Sequence, residues 1–265
     1  MSAQMVFKRY ELKYLLNIEQ YRALKEIMKA HMALDQFGKH TINNIYFDTD
    51  NYLLIRRSLE KPCYKEKLRV RSYGSTNADS KVFVELKKKY DGVVYKRRLD
   101  LQEKEALDFL VRDIPLEQPS QISKEVQYFM KYYGTLVPKV YLSYEREAFY
   151  GLVNSDFRMT FDQNIRMKEY TELESKDKSV EEILSKEQIL LEVKTGMGIP
   201  TWLLNFFSEN QIYKTSFSKY GRAYEQFLLP KYIKQQKYKE ILQKNKELNQ
   251  KVLDRSQKGG RTYVA

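Results

Sequence analysis

Between Tyr64 and Tyr73 the chain reads Tyr-Lys-Glu-Lys-Leu-Arg-Val-Arg-Ser-Tyr, with Lys65, Lys67, Arg69 and Arg71 at every second position. Alternate side chains of a β-strand share one face. Four cations therefore project from one side of a single strand, and Leu68 and Val70 from the other. Like charges held side by side repel, so a strand written this way is suited to lying against a polyanion. The pattern recurs. One-sided sets are Arg9, Glu11 and Lys13; Glu85, Lys87 and Lys89; Lys96 and Arg98; Tyr144 and Arg146; Arg158, Thr160 and Asp162; and Glu192 and Lys194. Strands charged on one face cannot form an ordinary sandwich, whose inner faces must be apolar. They suit an antiparallel barrel with a wet lumen and an apolar outside clothed by helices. The expected fold is α+β: an antiparallel β-barrel with a charged lumen, flanked and plugged by helices.

Charge distribution sharpens this. The 265 residues carry a formal net charge of +12. Residues 231–265 hold ten Lys or Arg against three acids. Most of the excess thus sits in the tail, and clustering on strand faces is the stronger sign of an anionic ligand. Residues 1–230 read as one domain. Residues 231–265, with sparse Ile233, Ile241, Leu242, Leu248 and Val252, read as a basic helix that frays towards a disordered end near Lys258. Such a tail could associate with a membrane surface or a membrane protein.

The lone Cys63 excludes an intrachain disulfide and fits a reducing cytoplasm. Only His31 and His40 are present, which argues against a histidine zinc site or a Ser-His-Asp triad. No apolar run approaches a membrane span, and the first residues lack a signal-peptide pattern. The expected location is cytoplasmic, with peripheral membrane contact left open.

Periodicity and punctuation predict strands at 7–15, 41–47, 64–73, 81–89, 93–101, 138–149, 157–165 and 188–195. Tyr90-Asp91-Gly92 is a hairpin signal. Helices are predicted at 18–31 behind an Asn17 cap, at 50–58, 103–112 and 123–133, from Pro200, and at 219–229. Ser179 with Glu182 reads as the capping box of a further short helix.

The motifs, taken in order, resemble the VTC family, the polyphosphate polymerase domain of vacuolar transporter chaperone complexes and its bacterial relatives, within the CYTH-like triphosphate tunnel metalloenzymes. They are Arg9-Tyr-Glu-Leu-Lys-Tyr14, Tyr46-Phe-Asp-Thr49, Lys67-Leu-Arg-Val-Arg-Ser-Tyr-Gly74, Phe83-Val-Glu-Leu-Lys87 and Tyr144-Glu-Arg-Glu-Ala-Phe149. Then follow Arg158-Met-Thr-Phe-Asp162, Leu191-Glu-Val-Lys-Thr195 and Phe217-Ser-Lys-Tyr-Gly-Arg-Ala-Tyr224. Eight weak motifs in sequence, over residues 6–229, make a specific signal.

The resemblance implies a tunnel that takes ATP and passes polyphosphate, with a divalent metal (Mn²⁺ or Mg²⁺). It implies phosphate contacts from Lys13, Arg69, Arg71, Lys87 and Arg146, with Lys219 at the wall, Ser218 before it, and Tyr144 beside the transferring phosphates. Further lumen candidates are Arg9, Lys67, Lys89, Lys96, Arg98, Arg158 and Lys194. A cation from the segment after Thr49 should also reach the lumen; Arg57 or Arg56 could supply it. Ser216 stands where relatives tend to carry a basic residue, and Lys214 is the nearest cation. Only a few residues precede strand 1, so the N-terminal phosphate-sensor domain of eukaryotic relatives is expected to be absent.

Phosphoryl transfer needs positioned cations, a divalent metal and an in-line nucleophile. Arg suits it because its planar fork binds phosphate oxygens in pairs. Glu192, Glu11 and Glu85 are the candidate metal carboxylates, or else charge balances for neighbouring cations. Expected partners are ATP and polyphosphate, with no sequence-specific nucleic acid, since no RNA-binding signature is present. The expected activity is transfer of the ATP γ-phosphate to a polyphosphate chain. Its rivals are hydrolysis of a tripolyphosphate or nucleoside triphosphate, and polyphosphate binding without catalysis. Arg9 stands where hydrolytic tunnel enzymes tend to place a first-strand glutamate, which favours the polymerase.

Overall fold

The computed structural model describes residues 10–91, 93–170 and 180–259, with side chains to 247. Contacts divide the chain into two units, residues 1–222 and 223–265. The first begins with β1 (Tyr10–Asn17), α1 (Ile18–Met28), β2 (Met32–Asp48) and α2 (Leu53–Leu59). Three antiparallel strands follow, β3 (Tyr64–Tyr73), β4 (Lys81–Tyr90) and β5 (Val93–Gln102), then α3 (Glu103–Val111) and α4 (Gln121–Tyr133). Next come β6 (Val137–Gly151), β7 (Arg158–Glu169), β8 (Glu181–Glu182), β9 (Gln188–Thr195), α5 (Thr201–Glu209), β10 (Lys214–Thr215) and α6 (Lys219–Ala223). The second unit holds a π-helical turn at Tyr224–Leu228 and the helix α7 (Leu229–Gly259).

Local chemistry sets the helix ends. Asn17 accepts from the Gln20 amide while the Gln20 side chain accepts from Asn17 N, a complete capping box. Ser120 and Ser123 do the same for α4. Leu24 and Met28 of α1, and Val126 and Phe129 of α4, recur at helical spacing and face inward.

The apolar face of the sheet is covered by these helices in two clusters. One joins Leu16, Phe161 and Leu191 to Leu24 of α1 and Phe206 of α5. The other joins Leu68, Val84 and Leu86 to Phe109 of α3 and Phe129 of α4. Each large side chain so buried contributes on the order of 1.5–3 kcal/mol. With that face committed to helices, the alternate face is left for charge.

The sheet order is β10-β1-β9-β7-β6-β2-β3-β4-β5, with β8 on β7. All its pairings are antiparallel. Among the described residues the expected hydrogen-bonded barrel is therefore not closed: β10 and β5 are the ends of the path. A physical reason is at hand, since β10 offers only two residues and can carry no ladder onward. The sheet nevertheless curls. Strands β1 and β4 lie near opposite ends of the path, yet Glu11 Oε2 and Lys87 Nζ come within 3.9 Å. The charged face is thus the inside of a trough.

A bulge tunes which β7 residues face inward. Register runs Glu145↔Gln163 and then Ser143↔Arg166, so β7 carries one residue more than β6 opposite Tyr144. Asn164 absorbs it at φ 50°, a left-handed conformation Asn tolerates.

Two further expectations are corrected. Strand β2 spans 17 residues rather than seven. Its first half lacks regular apolar–polar alternation and includes Gly38 at φ 56° beside a register shift between Leu34 and Lys39, which reads as a loop in sequence. The predicted helix after Ser179 is absent from the described residues: Ser179 lies outside them, and Glu181–Glu182 instead pair with Met167 and Arg166. Cys63 is exposed. No helix among the described residues is long and apolar enough to cross a membrane. The side chains of Ile233, Ile241 and Leu242 on α7 are exposed.

Candidate functional site

Strand register places Glu85 directly opposite Arg69 on one side and Arg98 on the other. Arg69 donates to Glu85 Oε2 from Nε at 2.9 Å and from Nη2 at 2.7 Å. Arg98 donates to Oε1 from Nε at 3.0 Å and from Nη2 at 2.6 Å, and Lys96 Nζ lies 2.6 Å from the same oxygen. Glu85 is only 1% exposed. Burial pushes its carboxyl up, but Arg69, Arg71 and Lys96 overcome that and hold it far below the usual range. Burial lowers Lys96 to about 8 despite Glu85. Both Glu85 oxygens are thus engaged by cations.

A second network crosses β1, β9, β7, β6 and α6. Arg146 grips Asp162 in a fork, at 2.5 and 2.6 Å, and reaches Glu192 Oε2 at 2.9 Å. Lys219 Nζ meets Asp162 Oδ2 at 2.5 Å and Glu192 Oε1 at 3.1 Å. Burial opposes the Lys219 charge, but Asp162 and Glu192 hold the ammonium protonated well above its usual range. Lys13 Nζ donates to Phe217 O at 2.9 Å and sits 3.3 Å from Glu11 and 3.6 Å from Glu192. Arg71 links the two networks, donating to Asn44 Oδ1 at 3.1 Å and to Tyr144 Oη at 3.4 Å. Lys219 Nζ lies 4.5 Å from the centre of the Tyr144 ring.

The α6 start is brought in by residues with no assigned role at the level of sequence. Tyr220 Oη donates to Asp48 Oδ2 at 2.9 Å, and Asp48 also accepts from Leu54 N and Ile55 N at the start of α2. The Tyr220 ring stacks on Tyr46, centroids 4.9 Å apart, and Tyr46 Oη accepts from Arg69. The Asp-Thr ending of β2 and the Tyr after Lys219 were the available signals. Asp162, too, was visible only as a member of a strand face.

Several cations lack a matching carboxylate. Lys67 Nζ donates to Ser218 Oγ at 3.0 Å and, among the described residues, forms no ion pair. Burial together with Lys87, Lys13, Lys65 and Arg69 pushes its ammonium down to about 7. Burial also lowers Lys194. Charge removed from water without a partner is costly, so this face is electrostatically incomplete without an anion.

The remaining candidates fall as follows. Lys87 joins the concave face, and Lys89 stands opposite Lys65 at its end. Arg158 and Lys194 pair in register and, with Arg71, Arg98 and Arg146, line a cavity of ≈ 890 Å³. Arg57 is not brought in. Helix α2 turns Leu54, Ile55 and Ser58 inward, which leaves Arg56 and Arg57 on its exposed side. Arg57 instead acts on Tyr133, which bonds Glu66 on the outer face of β3. Arg9 lies outside the described residues.

Glu11 and Glu192 converge on a single cation position, now taken by Lys13. Burial raises Glu11, but Lys87 and Lys13 bring it down to about 2, so it is ionised and able to ligate. Among the described residues no group of three or more His, Cys, Asp or Glu could cage a metal. One or two carboxylates suffice for Mg²⁺ or Mn²⁺ when substrate phosphates complete the shell. The pair therefore fits a divalent ion that arrives with an anionic substrate.

A family model, the VTC domain, matches residues 8–228. No curated protein matches the chain. Among solved structures, a candidate adenylate cyclase from Bacillus halodurans aligns at 15% identity and TM-score 0.46, covering 80% of this chain and 95% of its own. Another, from Vibrio parahaemolyticus, aligns at 11% identity and TM-score 0.41, covering 79% and 94% respectively.

Proposed function

The chain belongs to the VTC-domain family, and from that premise we propose that it is a metal-dependent phosphotransferase that extends polyphosphate at the expense of ATP. The trough is the working tunnel. The observation that carries the reading is the surplus of inward cations, above all Lys67, set among like charges and bonded to Ser218 with no ion-pair partner among the described residues.

In the reaction a terminal oxygen of the polyphosphate chain attacks the γ-phosphorus of ATP. The bond from that phosphorus to the β,γ-bridging oxygen breaks, and ADP leaves with the electron pair. The attacking oxygen is already anionic, so no base is needed; the difficulty is bringing two polyanions together. Arg71, Lys67 and Lys87 offset that repulsion and hold the triphosphate. Arg146 and Lys219, fixed by Asp162 and Glu192, present rigid positive charge beside Tyr144. Glu192 with Glu11 would hold a divalent ion, which neutralises charge on the transferring phosphates when bound.

Transfer is favoured over hydrolysis by the state of the inward carboxylates. Glu11, Glu85, Asp162 and Glu192 are all ion-paired, so none stands ready to activate water. Incubation with ATP and Mn²⁺ or Mg²⁺ tests this. Accumulation of ADP with polymer that an exopolyphosphatase digests supports the polymerase. Orthophosphate without polymer, at any primer concentration, supports a triphosphatase.

A further inference from the structure

The trough is chemically polar along its length. In register, β3 and β4 oppose Lys65 to Lys89, Lys67 to Lys87, Arg69 to Glu85 and Arg71 to Phe83. Tyr73 lies beyond. Lysine pairs thus give way to arginines and then to aromatic rings over some 26 Å of strand, at about 3.3 Å per residue.

The rings form a ladder at the cavity end. Phe37 and His40 are 6.3 Å apart between centroids, His40 and Tyr73 5.8 Å, and Tyr73 and Phe83 5.6 Å. All four line the cavity of ≈ 890 Å³. The Arg98 guanidinium lies 4.2 Å over the Phe83 ring. Phe37 is 68% exposed and Tyr73, two residues from the phosphate-facing Arg71, is 42% exposed, so flat apolar faces stand open to solvent at this end. An inorganic phosphate chain has no planar group to place there, whereas a nucleobase does.

We propose that this ring-lined end seats the base of the nucleotide donor, and that the lysine end takes the bare polyanion. The inference rests on the phosphotransferase reading and adds direction and donor selectivity to it. Stacking, rather than phosphate contact, is what would separate a nucleoside triphosphate from inorganic tripolyphosphate.

Calorimetric titration of ATP and of inorganic tripolyphosphate into the wild type, Phe37→Ala, Tyr73→Leu and Tyr73→Phe tests it. Phe37→Ala and Tyr73→Leu should each weaken ATP about tenfold, as loss of one stacked ring does. Tripolyphosphate affinity should stay within about twofold of wild type, and Tyr73→Phe should bind ATP normally. Equal losses for both ligands would mean the rings merely support Arg98, and would overturn the inference. Unaltered ATP affinity with tripolyphosphate still bound would overturn it alone. A wild type that binds neither ligand would overturn the phosphotransferase reading and this one with it.

Discussion

The Lys67 ammonium donates to the Ser218 hydroxyl across the trough at 3.0 Å, joining β3 to the start of α6. Burial and neighbouring cations hold Lys67 at about 7, so at pH 8 most of the free protein carries it neutral. A bound polyanion favours the charged form. Binding of ATP at pH 8, above the titration of its terminal phosphate, should therefore take up a proton. Affinity should fall as pH rises through 7 to 9. Titration in two buffers of different ionisation enthalpy measures the uptake. Lys67→Arg, whose charge is permanent, should abolish the Lys67 share and flatten the profile. An unchanged uptake in that variant would exclude Lys67 as the titrating group.

The same depressed value has a consequence for folding. The unfolded chain binds the Lys67 proton more tightly than the native one, so this residue weakens stability below pH 7. The penalty fades as pH rises from 7 towards the ordinary lysine value. Lys67→Met should raise Tm at pH 6 more than at pH 9. A uniform shift across that range would contradict the assignment.

Arg69 and Arg71 share a face but not a role. Arg69 is clamped to Glu85 by two hydrogen bonds, whereas Arg71 stands 3.9 Å from that carboxylate and hydrogen-bonds neutral Asn44 and Tyr144. Arg71→Ala should weaken triphosphate binding by tenfold or more, the effect of losing about 1.5–3 kcal/mol of charge-assisted hydrogen bonding. Arg69→Ala should cost less affinity and more stability. Equal affinities for wild type and Arg71→Ala, by titration, would remove Arg71 from the binding surface.

Glu192→Gln leaves Arg146, Lys219 and Lys13 with one carboxylate fewer. Sequence alone suggests little change in melting; the ion pairs now predict a measurable drop in Tm without ligand. Tripolyphosphate should recover part of it by preferential binding to the folded state. Metal dependence of turnover should be lost. Retained metal dependence alongside the lower Tm would leave Glu192 as an ion-pair partner only.

Removal of residues 231–265 should leave the rest folded, with Tm within a few degrees of the full chain, because Ile233, Tyr238, Ile241 and Leu242 are exposed. Differential scanning calorimetry decides it. Loss of the cooperative transition would show that the tail is part of the fold.

Much of this site was legible because strand alternation is strict. Once Lys67, Arg69 and Arg71 share a face, so must their partners in register, and Glu85 follows. Arg57 misled because a helix, unlike a strand, leaves two adjacent residues on the same side, and here both faced outward. Asp162 went unassigned since its importance arises from Arg146 and Lys219, which come from distant parts of the chain. Closure was overpredicted because alternation tells which side faces in, and says nothing about whether the last strand is long enough to meet the first.

The bulge at Asn164 acts like a frameshift written into a strand. Upstream, even-numbered residues Thr160 and Asp162 face the trough; downstream, the parity inverts, and Ile165 and Met167 are wholly buried. One extra residue thus lets a single strand serve as ion-pairing wall and as apolar core in succession. Deleting Asn164 would put the two halves of β7 in the same phase, so that no register could satisfy both. A loss of one residue there should be worse tolerated than most substitutions along the strand.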